Sequence, residues 1–115
     1  MENVEWLSVP EFADRLGAKP SQVRDMLRDH AIVARRGGEN NAWLIPASFI
    51  TLDQGEPAVV NHLEGTLTLL ADSGLTNDEA LTWLLEPNEV LESTPIEALR
   101  SGQRAPVRRA AQLLA

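Results

Sequence analysis

The 115-residue chain contains no cysteine, which excludes a disulfide framework, a cysteine-ligated zinc site and a thiol nucleophile. Only His30 and His62 offer imidazole, so little is left for metal chemistry, and no cofactor is expected. No apolar run approaches the length a membrane helix needs, and the opening MENVEW is acidic where a secretory signal would be basic. A cytoplasmic protein is expected, found at the nucleoid when it is bound to DNA. An enzyme is not expected, because no nucleophile, base and orienting group stand in a recognisable constellation and no glycine-rich loop follows a strand. His62 and Glu64 are merely close in sequence, and Asp78 and Glu79 are accounted for by a helix N-terminus, where acidic charge is stabilising.

Basic residues are also missing from one long stretch. Residues 51 to 99 hold ten acidic side chains and none that is basic, whereas residues 100 to 115 hold four arginines and no acid. Residues 1 to 50 carry six basic against seven acidic side chains, so the net charge of −7 is concentrated in the middle of the chain. DNA-binding domains usually show a basic footprint, so the total speaks against nucleic acid while the distribution does not. A hydrophobic content of 43% at this length predicts one modest core, or two small lobes sharing one.

The stretch from Leu7 to Pro46 has the most pattern. Ser8-Val9-Pro10-Glu11 reads as a capping box, with Leu7 and Phe12 placed as a hydrophobic staple and Phe12, Ala13 and Leu16 forming a helical apolar stripe. Gly17 stops this helix as a left-handed residue. Pro20 suits the first turn of a second helix, with Val23, Met26, Leu27 and His30 on its buried face. Its free face carries Ser21, Gln22, Arg24, Asp25 and Arg28, and groups of this kind can read base edges in a major groove. Lys19 stands at the N-cap, where it supplies no cap acceptor but places a cation near a phosphate. A hairpin is expected next, from Ile32-Val33-Ala34 to Ala42-Trp43-Leu44-Ile45, with Arg35 and Arg36 at or near its tip. Gly37, Gly38, Asn40 and Asn41 would allow the positive φ of a tight turn. Two helices joined at a glycine and followed by a basic hairpin form the plan of a winged helix-turn-helix.

After Pro46 the stretch Asp53-Gln54-Gly55-Glu56-Pro57 reads as a turn-rich joint. Val60, Leu63, Leu67 and Leu70 then follow a three-four spacing closed by Gly74, and Gly65 within it suggests close approach of another backbone. Thr76 to Glu79 and Thr94 to Glu97 read as further capping boxes, with Trp83 in the core. A final helix from about Pro106 puts Val107, Ala110, Ala111 and Leu114 on one face. The expected fold is mainly α with a small β-hairpin: a winged helix-turn-helix over 1–50, a joint over 51–57, and a helical lobe over 58–115 that packs or dimerises through its apolar faces.

The segments WLSVPEFADRLG, VRDMLRDHAIVARRGG and WLIPASFI, with GTLTLLADSGLTNDEALTWLLEPNEVL and PIEALRSGQRAPVRRAAQLLA, span nearly the whole chain. Together they resemble the small actinobacterial winged helix-turn-helix DNA-binding proteins exemplified by a mycobacterial serine/threonine-kinase substrate. The resemblance implies DNA binding through the second helix and the wing, at Gln22, Arg24, Arg28, Arg35 and Arg36. Lys19 and Ser21 join them from the reading of the helix itself. The mycobacterial relative carries its phosphorylated threonine on an N-terminal extension, and this chain starts a few residues before its first helix, so kinase control by that route is not expected.

The leading expectation is a DNA-binding transcriptional regulator, with double-stranded DNA and a second copy of the chain as partners. The alternative is a protein-interaction module or antitoxin-like adaptor, in which the acidic segment 51–99 docks a basic partner and residues 58–115 form the lobe that receives it. The segment WLLEPNEVLESTPIEALRSG is similar to the toxin-binding region of certain antitoxins, which supports that second class.

Overall fold

The computed structural model describes residues 3–114. In chain order the elements are β1 (Trp6–Leu7), α1 (Val9–Leu16), α2 (Pro20–Arg28), β2 (Arg35–Gly37), β3 (Ala42–Pro46), a 3-10 turn (Ala47–Phe49), β4 (Ile50–Asp53) and β5 (Glu56–Val59). Four helices follow: α3 (Leu63–Asp72), α4 (Asn77–Leu85), α5 (Pro95–Arg100) and α6 (Arg104–Gln112). Strands β1, β3 and β2 form an antiparallel sheet in that order, and β4 pairs with β5.

Local chemistry accounts for most helix boundaries. The Glu11 amide donates to the Ser8 hydroxyl at 3.3 Å while the Ser8 amide donates to the Glu11 carboxylate at 2.9 Å, so two orphan donors at the start of α1 are satisfied. Thr76 and Glu79 repeat the arrangement at α4. At α5 only half of the box forms. The Glu97 amide donates to the Thr94 hydroxyl at 3.3 Å, and the Glu97 carboxylate turns instead toward Arg100, 3.5 Å away. Gly17 closes α1 with φ +75°.

The two complete boxes have a consequence in acid. Glu11 and Glu79 are both held below the ordinary glutamate pKa, chiefly by the backbone amides of Ser8 and Thr76 and then by the same residues' hydroxyls. A carboxyl whose pKa is lower folded than unfolded contributes stability that is present above the unfolded value and lost as pH falls through the folded one. The Glu11→Gln/Glu79→Gln variant keeps a capping side chain without the titrating charge. Its melting temperature should therefore fall less between about pH 5 and about pH 3 than that of the native chain. Equal acid limbs in calorimetry would show that the caps do not contribute.

Three local expectations are corrected in the N-terminal part. Ile32, Val33 and Ala34 are not a strand. All three are buried, which an alternating strand with one solvent face cannot provide, and pairing begins only at Arg35. His30 is not on the buried face of α2, because the helix ends at Arg28 and His30 reverses the chain with φ +61°. Its imidazole Nε2 lies 3.2 Å from the Asn77 side-chain oxygen at the start of α4. The expected joint at 51–57 lies within a second hairpin, in which Gln54 and Gly55 have φ +54° and +84° as a type I′ turn requires. Pro57 in β5 obscured this strand from sequence. It is tolerated because a two-stranded ribbon consists only of edges.

In the C-terminal part, Leu63, Leu67 and Leu70 of α3 are fully buried, while Val60 is buried ahead of the helix rather than within it. Trp83 is half-buried against the core. Helix α6 starts at Arg104, two residues before Pro106, and ends at Gln112, so Leu114 leaves the buried face and is 40% exposed. Gly65 is the third residue of α3, and a Cβ built there would meet nothing within 4 Å, so no second backbone approaches it. Gly65→Ala should accordingly stabilise the fold by about 0.5–1 kcal/mol, read as a raised denaturant midpoint at constant m.

The two halves share one hydrophobic core. Phe12, Val23, Ile32 and Ile45 belong to the same buried cluster as Phe49, Leu67, Leu81, Ile96 and Val107. The backbone joins them as well, with the Val60 amide donating to the Phe49 carbonyl at 2.9 Å. Arg100 of α5 completes the union by donating to the carbonyls of Ser48 and Ile50. The helical segment is thus packed onto the winged unit rather than tethered to it.

Candidate nucleic-acid interface

Packing decides which face of α2 is available. Val23 is fully buried and Met26 and Leu27 are half-buried, so Ser21, Gln22, Arg24, Asp25 and Arg28 all lie exposed, as the periodicity requires. The exposed side chains are not equally free. Gln22 accepts from the Lys19 amide through Oε1 at 2.8 Å, so one of the two groups it needs for bidentate adenine contact is occupied in closing the helix start. Lys19 offers no side-chain acceptor at this N-cap, and its ammonium is exposed. Arg28 Nη1 lies 2.9 Å from Asp25 and its Nε 3.6 Å from Asp29. Such exposed pairs are worth at most about 1 kcal/mol, so an incoming phosphate can displace them. Arg24 makes no ion pair among the described residues.

Arg35 and Arg36 lie near the hairpin tip rather than at it. They lie in β2 opposite Leu44 and Trp43, while the turn is made by residues 38–41, with Gly38 at φ +75° and Asn41 at φ +48°. Of the four turn residues expected to use positive φ, Gly37 is instead in the strand, and among the described residues Asn40 is not in the left-handed region. Successive strand residues face opposite ways, and the two arginines separate accordingly. The Arg36 guanidinium lies 4.0 Å from the centre of the Trp43 ring and donates to the Asn41 carbonyl at 3.1 Å. Trp43 is 42% exposed, so this stacked pair forms an aromatic and cationic surface on the wing. Arg35 stacks on Trp6 of β1 at 4.1 Å and is half-buried, with its Nε shielded from solvent.

Two parts of this arrangement are hard to read from sequence. Strand β1 has only two residues, pairing Trp6 with Pro46 and Leu7 with Ile45, too short for any alternation to show. Trp43 could have been placed opposite Arg36 only with the hairpin register in hand. Arg15 lies outside this surface and is engaged elsewhere. It forms a two-pronged pair with Glu5, at 3.0 and 2.6 Å, which holds the Glu5 carboxyl below its usual pKa.

Two helices joined at a glycine and packed on a small sheet that ends in a hairpin, with an exposed polar second helix and a cationic wing, define a winged helix-turn-helix protein. The chain belongs to the Rv2175c family. Residues 1–50 match the family described as "DNA-binding protein Rv2175c, wHTH domain", and residues 60–115 match "Rv2175c C-terminal domain of unknown function". It is 34% identical over 120 residues to the DNA-binding protein Rv2175c of Mycobacterium tuberculosis, covering 93% of this chain and 78% of that protein. The NMR structure of Rv2175c matches the fold with a TM-score of 0.76 at 31% identity, covering all of this chain and 84% of the other. The resemblance read from the residues is therefore met over both halves. No helix among the described residues is long and apolar enough to cross a membrane, and no group of three or more His, Asp or Glu among them could hold a metal ion.

Proposed function

We propose that this chain binds double-stranded DNA and regulates transcription, with α2 entering the major groove and the β2–β3 wing reaching the backbone or minor groove. The observation that carries this reading is the exposed face of α2, where Arg24 stands without an ionic partner among the described residues between Ser21 and Arg28. Arg24 is the residue for guanine recognition, and Ser21 and Gln22 are accessory groups on the same face. Lys19, Arg28 and Arg36 position the protein on phosphates. Arg35 acts mainly through Trp6, holding the sheet from which the wing projects. The relative's name says that it binds DNA, which supports the same reading here.

Few phosphates are neutralised, and the acidic middle of the chain opposes more, so affinity should be modest and dependent on salt. Fluorescence anisotropy with a labelled duplex between about 50 and 200 mM salt should give a linear fall of log K against log salt, with a slope of about −3 for three phosphate contacts. Absence of any salt-dependent binding to duplex pools of random sequence would overturn the proposal.

A further inference from the structure

A second set of cationic groups lies far along the chain from the winged unit, in the part matched only by a domain of unknown function. A shallow pocket of about 240 Å³ between α3 and α6 is lined by His62, Gly65, Thr66, Leu69, Arg104 and Arg108. Arg104 and Arg108 are exposed, stand four residues apart on one face of α6, and have no acidic partner among the described residues. In this they resemble Arg24 and differ from Arg15, Arg28 and Arg100, which are paired with acids. Like charges at this spacing repel, and an anion held between them would remove the repulsion.

The opposite wall is polar and open. His62 is held at the start of α3 with φ +66°, and the Thr66 hydroxyl is tied to the His62 carbonyl at 2.9 Å. Gly65 has neither a positive φ nor a neighbour that a Cβ would meet, so neither backbone conformation nor packing calls for glycine. Its effect is to leave the pocket wall without a side chain. No carboxylate lines the pocket, and two guanidinium groups offer donors only, so the fitting ligand is rich in acceptors and negatively charged. The fork of a guanidinium matches the oxygens of phosphate.

We propose that the α3–α6 pocket binds a phosphate group, supplied either by a small phosphorylated molecule or by a nucleic-acid backbone. The site is independent of the α2 and wing surface and does not rest on it. The test is titration of inorganic phosphate into the isotope-labelled full chain at constant ionic strength, followed by NMR. Saturable shifts are expected at Gly65 and Thr66 and at the side chains of Arg104 and Arg108. They should be lost in Arg104→Ala/Arg108→Ala and weakened roughly tenfold or more in Gly65→Leu, which fills the pocket from the other side. Both arginines are exposed, so the double variant stays folded.

Duplex DNA added to the same variants separates the two sources. Reduced DNA affinity with a salt slope shallower by about two assigns the site to backbone phosphate, whereas unchanged DNA affinity assigns it to a small molecule. Arg24→Ala should leave the phosphate shifts intact whatever it does to DNA, so failure of one proposal is distinguishable from failure of the other. No saturable response to phosphate, an equal response to chloride, or shifts that persist in the double alanine variant would overturn the assignment.

Discussion

Phe49→Ala is expected to cost about 3–5 kcal/mol and to destabilise both halves of the molecule together. Phe49 is fully buried in the turn between the winged unit and the second hairpin, and its carbonyl receives the Val60 amide. Truncation removes a large apolar side chain from a close-packed site and leaves a cavity that neighbours on both sides cannot fill. Domains of this size are stable by about 5–15 kcal/mol, so the variant would lie near the limit of folding at 37 °C. Phe49→Leu, which keeps most of the volume, should cost much less and serves as the control. The informative readout is cooperativity. Amides around Phe12 and around Leu81 should lose exchange protection in one transition, because both residues belong to one buried cluster. Retention of native protection in residues 60–112 while the winged unit melts would show that the core is not shared.

Arg24→Ala should weaken duplex binding about 5- to 150-fold and flatten preference at one base position, because a bidentate arginine contact discriminates by about 1–3 kcal/mol. Arg36→Ala should act differently. It removes a phosphate contact, so affinity should fall by a similar factor on every sequence and the salt slope should become shallower by about one. The pairing of Arg28 with Asp25 makes a further distinction. Arg28→Ala loses a cation already half neutralised and should cost less than Arg24→Ala, whereas Asp25→Asn should strengthen binding, most of all at low salt. Arg35→Ala should lower stability before it affects DNA, since its guanidinium covers the Trp6 ring. The measurement is anisotropy across a salt series, with circular dichroism to verify folding. Unchanged affinity for both Arg24→Ala and Arg36→Ala would remove this face from the function.

Much of the architecture was legible in the residues because its signals are local. A serine or threonine followed three residues later by glutamate marks a helix start wherever it occurs, and Ser8 and Thr76 both form complete boxes. Gly17 and Gly74 mark left-handed helix ends in the same way. The apolar spacing of α2 likewise identified its buried face and therefore its exposed one. What failed depended on partners distant in sequence. Ile32 to Ala34 have strand composition, yet three consecutive buried positions arise because the chain there is enclosed on all sides. Gly65 in the sequence suggests a close approach, but glycine reports only that a side chain is missing and not why. The second hairpin was hidden by Pro57, whose lack of an N–H matters only if the strand has a second neighbour.

The residues alone therefore determined the class of fold, the exposed face of α2 and the segregation of charge, since each follows from periodicity, capping or counting along the chain. Tertiary structure alone decided which cations are free. Side chains adjacent in sequence diverge across a strand, so Arg36 stacks on an exposed Trp43 while Arg35 is engaged by Trp6. The availability of a charge depends on what lies within a few ångströms of it, and for a folded chain that distance is set by packing and not by position in the sequence.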